Sequence, residues 1–271
     1  MTSSELLFLL ELLLKMAMTA AVVVIISVVV ERTGPLVGAL IAALPTAAGA
    51  AYVILAIEHP PAFVAASAVG SMAGAPVVSV FAAAYIFLAQ RRGVIVSLGV
   101  AFLVWCAAAA MLQFVVWTPL RALALNAVVF GVTIPLSRRY RASGAPRKFL
   151  RTAYDIPLRA LTAAVVVVAV TTASYSIGSF ASGMFALFPI VVCSSIVILH
   201  PRIGGKAAAS VLAHAQIAFL GLVFGFLAVH LLAEPLGSWW ALAIGMSVSV
   251  AWSGLLWLVR KRPTVFAPAS P

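Results

Sequence analysis

The chain has 271 residues, of which 65% are hydrophobic and only 8% are charged, whereas a soluble domain is typically about half apolar and about a quarter charged. This composition excludes a water-soluble globular fold, because such a fold cannot bury so much apolar surface. At roughly 20 apolar residues per membrane-spanning helix, the length allows about eight to ten spans with short connections. The sequence therefore predicts an all-α, polytopic membrane protein built as a transmembrane helical bundle.

Apolar runs between charged residues and Pro or Gly breaks predict nine spans. They cover residues 6–30, 34–57, 62–89, 94–117, 119–137, 157–177, 179–199, 207–233 and 238–259. The fifth run is short and contains Asn126, Gly131 and Pro135, so a surface or re-entrant segment is an alternative to a span. The first run has no basic residues ahead of it and no small-residue cleavage site after it, and we expect it to be retained.

The basic residues predict the orientation, because cytoplasmic loops of membrane proteins are enriched in Lys and Arg. The chain carries 17 Lys and Arg against 6 Asp and Glu. Basic clusters lie between the fifth and sixth spans and after the last span, which predicts a cytoplasmic C-terminus. With nine spans the N-terminus is outside, and only Lys15 and Arg121 lie on the outer side. Without the fifth span the first half inverts, and Arg32, Arg91 and Arg92 lie outside instead.

The sequence also resembles itself at an offset of 144 residues. Matches among Ala and Val arise easily by chance, so the weight rests on glycines, a proline and an acid–base pair: Gly34 and Gly178, Gly93 and Gly237, Pro45 and Pro189, Glu11 and Asp155, Lys15 and Arg159. Weak internal symmetry is typical of transporters built from repeated halves. A spanning fifth helix predicts halves of opposite orientation in the membrane, whereas a non-spanning one predicts parallel halves.

The repeat predicts the domain organisation. Two four-helix transmembrane units cover residues 1–118 and 157–262. A connector helix and a basic cytoplasmic loop lie between them at residues 119–156, and a disordered tail is expected at residues 263–271.

Pro45 and Pro189 fall near the middle of the second and seventh predicted spans. A proline inside a helix removes one backbone hydrogen bond, and carbonyls freed at membrane depth need partners or a lined cavity. The matched prolines therefore predict a substrate-binding region that includes their polar neighbours: Thr46, Tyr52, Ser194 and Ser195. The alternative is a pair of tolerated kinks whose carbonyls bond to Ser or Thr hydroxyls.

Charged residues inside the predicted spans give further candidates. Glu11 with Lys15, and Asp155 with Arg159, are spaced so that each pair shares one helix face. Because both pairs lie near a helix start, we favour bases that reach lipid headgroups, and the alternative is a substrate site where Lys15 and Arg159 attract an anionic group. His214, in the eighth span, and Glu11 are candidates for proton coupling, although a lone histidine in a membrane helix is more often a hydrogen-bond partner.

No catalytic, metal or cofactor site is predicted. Asp155 is the only aspartate, so no carboxylate cluster for Mg²⁺ is present. No phosphate-binding loop and no Gly-x-Ser-x-Gly motif occur. Cys106 and Cys193 stand singly in apolar runs, which favours neither a disulfide nor a metal site. We therefore expect no enzyme activity and no nucleic-acid partner; the expected partners are the lipid bilayer and a small-molecule substrate, with a homo-oligomer left open.

The segment at residues 12–57, LLLKMAMTAAVVVIISVVVERTGPLVGALIAALPTAAGAAYVILAI, resembles the GlpM-like family of small bacterial inner-membrane proteins. The shared pattern is a lysine near the start of the first helix and a glycine-rich second helix with a Leu-Pro-Thr centre: Lys15, Gly38, Leu44, Pro45 and Thr46. The second half is similar to the same unit through Arg159, Phe188 and Pro189, but Ile190 replaces the threonine. The resemblance implies a bacterial inner-membrane location and two tandem copies of a four-helix unit, and it implies no substrate.

Two functions are compatible with these features. The first is a secondary transporter or exporter of a small organic solute, anionic if the paired cations bind it. The alternative is a non-transporting accessory or scaffold protein that binds another membrane protein or lipid. A transporter needs a solvated polar cavity at the two prolines, whereas a scaffold would pack them dry.

Overall fold

The computed structural model describes residues 6, 10, 12–21, 24–25, 46–141 and 155–261, and every regular element in these ranges is a helix. In chain order the helices are α1 (Leu12–Ala21), α2 (Thr46–Glu58), α3 (Pro61–Leu88), α4 (Val94–Leu112), α5 (Pro119–Arg138), α6 (Asp155–Ala186), α7 (Ile190–Ile203), α8 (Gly205–Leu236) and α9 (Ser238–Lys261). Pro45 and Glu11 lie outside the described residues.

Six stretches of the described chain are long and apolar enough to cross a membrane. They are α3, α4, α5, the 44 residues from Ala160 in α6 to Ile203 at the end of α7, α8 and most of α9. The nine predicted spans become six here for two reasons: the first two lie partly outside the described residues, and the sixth and seventh adjoin at a break in α6 and are counted as one stretch. These helices are those of a multi-pass membrane protein.

Helix α3 is the centre of the bundle, and α4 lies at its edge. In the most apolar window of α3, 78% of the residues are buried inside the protein, against 22% for α4. Helix α3 contacts α2, α4, α5, α6 and α8. Helix α4 instead exposes large apolar side chains such as Ile95 and Leu103. Such side chains are stable at a protein surface when lipid covers them, because lipid tails are as apolar as leucine.

Contacts made by side chains show the relative directions of the helices. His230, near the end of α8, bonds to the carbonyl oxygen of Ala65, near the start of α3. Gln216, nearer the start of α8, bonds to that of Ser79, further along α3. Helices α3 and α8 are therefore antiparallel. Helix α5 runs parallel to α3, because Asn126 contacts Met72 and Thr133 contacts Ser79.

One end of the bundle collects most of the described basic residues, and we call it the basic end. The C-terminal ends of α3 and α5 and the N-terminal end of α8 meet there, since a side chain at Gly205 would overlap the carbonyl oxygen of Ala89. The basic residues at or near this end are Arg91, Arg92, Arg138, Arg139, Arg141, Arg202 and Lys206. The opposite end carries Arg121, close to the start of α5.

The predicted boundary between the sixth and seventh spans is a break inside α6. Gly178 has φ 78° and ψ 173°, outside the helical region. A positive φ of this kind costs little only for glycine, which has no Cβ. The sequence predicts a boundary between two spans here, and Gly178 divides α6 into two helical segments at that boundary.

The predicted seventh span, residues 179–199, is not one continuous helix. Helix α6 ends at Ala186 and α7 begins at Ile190, with Pro189 at φ −76° and ψ 39° between them. The stretch starts near the opposite end, where Ser174 bonds to His59, and reaches the basic end, where His200 bonds to Tyr85. It therefore crosses the bundle once, with an interruption part of the way through.

Two pairs of helices begin at positions 144 residues apart. Helices α3 and α4 begin at Pro61 and Val94, and α8 and α9 begin 144 residues later, at Gly205 and Ser238. The fourth predicted span is shorter than expected, since α4 ends at Leu112. The Trp117 indole N–H donates to the Leu112 carbonyl at 2.7 Å, which closes the turn before α5.

Candidate functional site

Helices α3 and α6 cross at glycines, and this crossing holds the interrupted segment. A side chain at Gly70 would overlap the carbonyl oxygen of Phe180, and one at Gly183 would overlap that of Ser67. Small residues of this kind let two backbones approach closely. The crossing therefore positions residues 179–186, which lead to Pro189, against the middle of α3.

Tyr52 is tied to this crossing through Ser71. The Ser71 hydroxyl donates to the Gly183 carbonyl at 2.7 Å, so the Tyr52 hydroxyl, 2.7 Å from the Ser71 oxygen, is the donor of that second bond. Tyr52 is 2% exposed, and its ring packs on Phe226 with centroids 5.2 Å apart. Among the predicted substrate residues, Tyr52 is thus linked to the backbone of the segment that leads to Pro189.

Pro189 lies beside a cluster of aromatic side chains. The Trp105 ring centroid is 4.9 Å from that of Phe188 and 5.9 Å from that of Phe185, and Phe102 lies 5.8 Å from Phe188. On the side of α4, aromatic side chains therefore fill the space beside the interruption.

The two predicted serines of α7 bond to their own helix. The Ser194 hydroxyl donates to the Val191 carbonyl at 3.0 Å, and the Ser195 hydroxyl donates to the same carbonyl at 2.7 Å. Serine in a helix commonly bonds in this way to a carbonyl one turn back. In this conformation both hydroxyls satisfy backbone close to the interruption.

A small cavity lies between α2, α8 and α9. It has a volume of about 90 Å³ and includes Tyr52, Phe226, Gly49, Gly245 and Ser249 in its lining. Typical small-molecule pockets are roughly 300–1,000 Å³. The cavity is therefore too small for an organic solute.

Helix α3 contains Pro76, and Asn126 of α5 compensates for it. Pro76 has no N–H, so it cannot bond to the Met72 carbonyl one turn earlier. The Asn126 amide instead donates to that carbonyl at 2.7 Å. The same amide donates to the Ala122 carbonyl at 2.7 Å, which leaves the Asn126 side-chain oxygen buried without a partner in the described residues.

This arrangement predicts a coupled effect of two substitutions. Asn126→Leu should lower the free energy of unfolding by about 1–3 kcal/mol, because it leaves the Met72 carbonyl buried and unpaired. In a Pro76→Ala background residue 76 regains its N–H, and the cost of Asn126→Leu should fall. Unfolding in detergent micelles measures both costs. Equal costs in the two backgrounds would contradict the assignment.

A second polar contact joins α3, α5 and α8. The Thr133 hydroxyl donates to the Val129 carbonyl at 2.9 Å, so the Ser79 hydroxyl is the donor in the 2.7 Å contact between the two side chains. Gln216, fully buried, donates its amide to the Ser79 carbonyl at 3.4 Å. These bonds connect the central helices at bilayer depth, where unpaired polar groups are costly.

The third polar cluster joins α1 to α2 near the opposite end. The Lys15 ammonium lies 2.6 Å from Oε1 of Glu58, and the two side chains are 8% and 13% exposed. Next to this pair, the His59 ring stacks on Phe63 with centroids 3.8 Å apart. Ser174 donates to the Thr171 carbonyl at 2.6 Å, so Nε2 of His59 donates to the Ser174 oxygen at 2.7 Å.

His59 lies between α2 and α3, outside the helices. Burial lowers the pKa of its ring below the ordinary value, because a charged imidazolium loses hydration there; the nearby Glu58 carboxylate raises the pKa and Lys15 lowers it. The ring is therefore held mainly as the neutral form.

The remaining predicted residues are placed as follows. His214 donates Nδ1–H to the Ser210 carbonyl of its own helix at 2.8 Å. Thr46 is the first residue of α2, and Arg159 lies in the first turns of α6, but their side chains are outside the described part. Sequence analysis misses Glu58 as a candidate. Spacing along one helix identifies Glu11 as a partner of Lys15, but it cannot identify a partner that lies on another helix.

The geometry defines a class of protein: a multi-pass helical membrane protein with an interrupted helix and a buried ion pair. No family model, curated protein or solved structure matches this chain. The resemblance to the GlpM-like family therefore stays a prediction.

Proposed function

We propose that this chain is a secondary transporter or exporter of a small organic solute, and that it has no enzyme activity. The observation that carries the proposal is the interruption at Leu187–Pro189, within a helix that crosses the bundle. Broken helices at the interface of repeated units form the substrate and ion sites of many transporters.

Two observations support halves of opposite orientation. The central helices α3 and α8 begin 144 residues apart and are antiparallel. An apolar groove of about 390 Å³ lies between α1 and α6 and is lined by residues that match at the same offset: Leu13 and Pro157, Met16 and Ala160, Ala17 and Leu161, Ala20 and Ala164. Equal faces of two related elements meet in this way when a two-fold axis relates them.

The orientation follows from the basic end. We infer that this end is cytoplasmic, in the inner membrane of a bacterium, because Lys and Arg concentrate on the cytoplasmic side. The nine-span topology then leaves the N-terminus outside. We expect a reporter that is active only outside the membrane to be active when fused to the N-terminus and inactive at the C-terminus. Two inactive fusions would instead indicate eight spans and parallel halves.

An anionic solute is supported by the cation inside the bundle. Lys15 is 8% exposed and is held by Glu58. A buried ammonium needs a counter-ion, and an anionic solute can replace the carboxylate in that role.

The second candidate function is a non-transporting scaffold. The aromatic packing of Trp105, Phe185 and Phe188 beside Pro189 favours it, because that side of the interruption is dry. A transporter passes through such a closed state and opens it in turn to each side, whereas a scaffold keeps it closed.

Labelling with a membrane-impermeant maleimide separates the two functions. The background is Cys106→Ala with Cys193→Ala, and the test sites are Ala50→Cys and Ser194→Cys, which are equivalent at the 144-residue offset and are 2% and 7% exposed. A transporter should become labelled at these sites from outside intact cells and from inside-out vesicles, because each half opens to water during its cycle.

Two controls calibrate the labelling. Gly93→Cys, in the exposed link between α3 and α4, should react only from the basic end. Val128→Cys, 66% exposed on α5 and facing lipid, should stay unreactive because the reagent is polar. If Ala50→Cys and Ser194→Cys both stay unlabelled while Gly93→Cys reacts fully, the scaffold is the better description.

A further inference from the structure

Helix α7 lies between two residues whose backbone is not helical. Before it, Pro189 has φ −76° and ψ 39°, and after it, Gly204 has φ 83° and ψ 157°. A positive φ costs little only for glycine, and the glycine backbone is also the one that changes conformation most freely. The 14 residues of α7 therefore form a short helix with a break on one side and a flexible residue on the other.

Helix α7 is also the least embedded part of the interrupted stretch. Ser194 and Ile196 are its two buried residues, and Val197 on the same helix is 49% exposed. An element with few buried side chains moves at little cost, because little packing is lost when it leaves its place.

The C-terminal end of α7 is bonded to the central helix. Nδ1 of His200 lies 2.8 Å from the hydroxyl oxygen of Tyr85 on α3, and Tyr85 is fully buried. The His200 ring lies against the start of α8, since a side chain at Gly205 would come within 2.9 Å of its Cε1. A buried hydroxyl that loses its partner is costly, so this bond favours the arrangement in which α7 is docked on α3.

The equivalent helix of the first half, α2, lacks both features. The residue 144 positions before Gly204 is Pro60, which has φ −66° and a ring that fixes this angle. The positions equivalent to the bonded pair hold a valine and an alanine, which cannot form such a bond: Val229 and Ala56. A flexible link together with a polar bond at the helix end is therefore a property of α7 and not of α2.

A positive φ is not sufficient for mobility, as the link between α8 and α9 shows. Gly237 has φ 84°, yet α9 is held close to α8 beyond it. A side chain at Gly225 would lie 2.7 Å from the carbonyl oxygen of Gly245, and one at Gly245 would lie 2.7 Å from that of Gly225. Helix α7 differs because a flexible link is combined with little burial.

We propose that α7 is the gate of the basic end. In the closed state the bond between Tyr85 and His200 holds its C-terminal end on α3. In the open state this bond is broken and α7 has turned about Gly204, as hinge residues at helix ends allow in other proteins. The turn brings Ser194 and the interruption at Pro189 into contact with water at the basic end.

This inference rests on the proposed transport function, because it names the part of the chain that opens the site to one side of the membrane. It assigns that movement to the second half of the chain alone. It also gives the conserved direction of opening within the fold: the end of α7 moves away from α3, while α8 stays in place.

The test measures the distance between α7 and α5 in single molecules. Spin labels are attached at Val197→Cys and Leu136→Cys, which are 49% and 44% exposed, in a protein that carries Cys106→Ala and Cys193→Ala and is held in nanodiscs. Electron paramagnetic resonance then gives the ratio of open to closed molecules. Tyr85→Phe should raise this ratio about fivefold or more, the effect of losing one typical hydrogen bond in the closed state.

Further variants assign the movement to this bond and to this helix. His200→Leu removes the other partner and should shift the ratio in the same direction. Tyr175→Phe makes the same chemical change as Tyr85→Phe on a tyrosine of α6 that is 68% exposed, and should behave like the parent protein. Labels at Val211→Cys of α8, which is 42% exposed, and Leu136→Cys should give one distance in every variant, because α8 lies beyond the hinge.

An unchanged ratio in Tyr85→Phe and His200→Leu would overturn the proposal, and His200→Leu decides alone if Tyr85→Phe does not fold. An equal shift in Tyr175→Phe, or a second distance for the α8 pair, would also overturn it. Two-sided labelling at Ser194→Cys without a change in ratio would leave the transport function and remove the gate. A changed ratio without such labelling would leave a mobile α7 and remove the transporter.

Discussion

Replacing Gly183 by alanine is expected to destabilise the protein by about 3 kcal/mol or more, the upper part of the range for overpacking a tight core. The new methyl group would overlap the carbonyl oxygen of Ser67 on α3. Each backbone is held in place by the hydrogen bonds of its own helix, so the overlap cannot be relieved locally. The two helices must therefore move apart. The separation would also break the bond from Ser71 to the Gly183 carbonyl, and with it the link to Tyr52.

The matched control is Gly99→Ala on α4. A side chain there would meet nothing within 4 Å, and alanine is the better helix former by about 1 kcal/mol. Gly99→Ala should therefore leave the free energy of unfolding unchanged or raise it slightly. Unfolding of both variants in mixed detergent micelles measures the difference. If the two variants had equal stability, the close crossing of α3 and α6 would be wrong.

Replacing Lys15 by methionine should cost roughly 3–5 kcal/mol, the typical effect of removing one partner of a buried ion pair. The cost arises because the Glu58 carboxylate, 13% exposed, stays behind without its counter-ion. Adding Glu58→Met should recover most of the lost stability, since a pair of apolar side chains of similar volume needs no hydration. This prediction concerns stability at neutral pH and does not depend on transport.

A double-mutant cycle measures the coupling between the two positions. Lys15→Met, Glu58→Met and the double variant are unfolded in the same micelles at neutral pH, with Glu234→Gln as a control for the loss of an exposed carboxylate. Costs of the single variants that simply add in the double variant would show that the side chains act independently.

Much of the helix layout could be read from the chain alone. The starts of α4, α5 and α9 agree with the predicted spans to the residue, and Gly178 marks the predicted boundary between two spans. These features depend on local properties: apolar length sets a span, and glycine or proline alters the backbone where it stands. The exact form of the interruption at Pro189 was not predicted, because a proline is compatible with either a kink or a break.

The partners of the polar side chains could not be read in this way. Spacing along a helix identifies neighbours three or four residues apart, so it relates Lys15 to Glu11 but not to Glu58, on another helix. The same limit hides the bond from Asn126 to the carbonyl freed by Pro76. It also hides the bonds by which Ser194 and Ser195 satisfy their own helix rather than face a cavity.

Composition and hydropathy by themselves determined that this protein is a helical membrane protein. A chain of 271 residues with a mean hydropathy of +1.20 buries its apolar surface in a lipid bilayer and not in water. They also determined several helix starts, those of α4, α5 and α9 among them. Only the tertiary structure decided which helix is central, which faces meet at Gly70 and Gly183, and which carboxylate neutralises Lys15. The physical reason is that helix formation in lipid is satisfied within each segment, whereas packing and ion pairing depend on residues far apart in the chain.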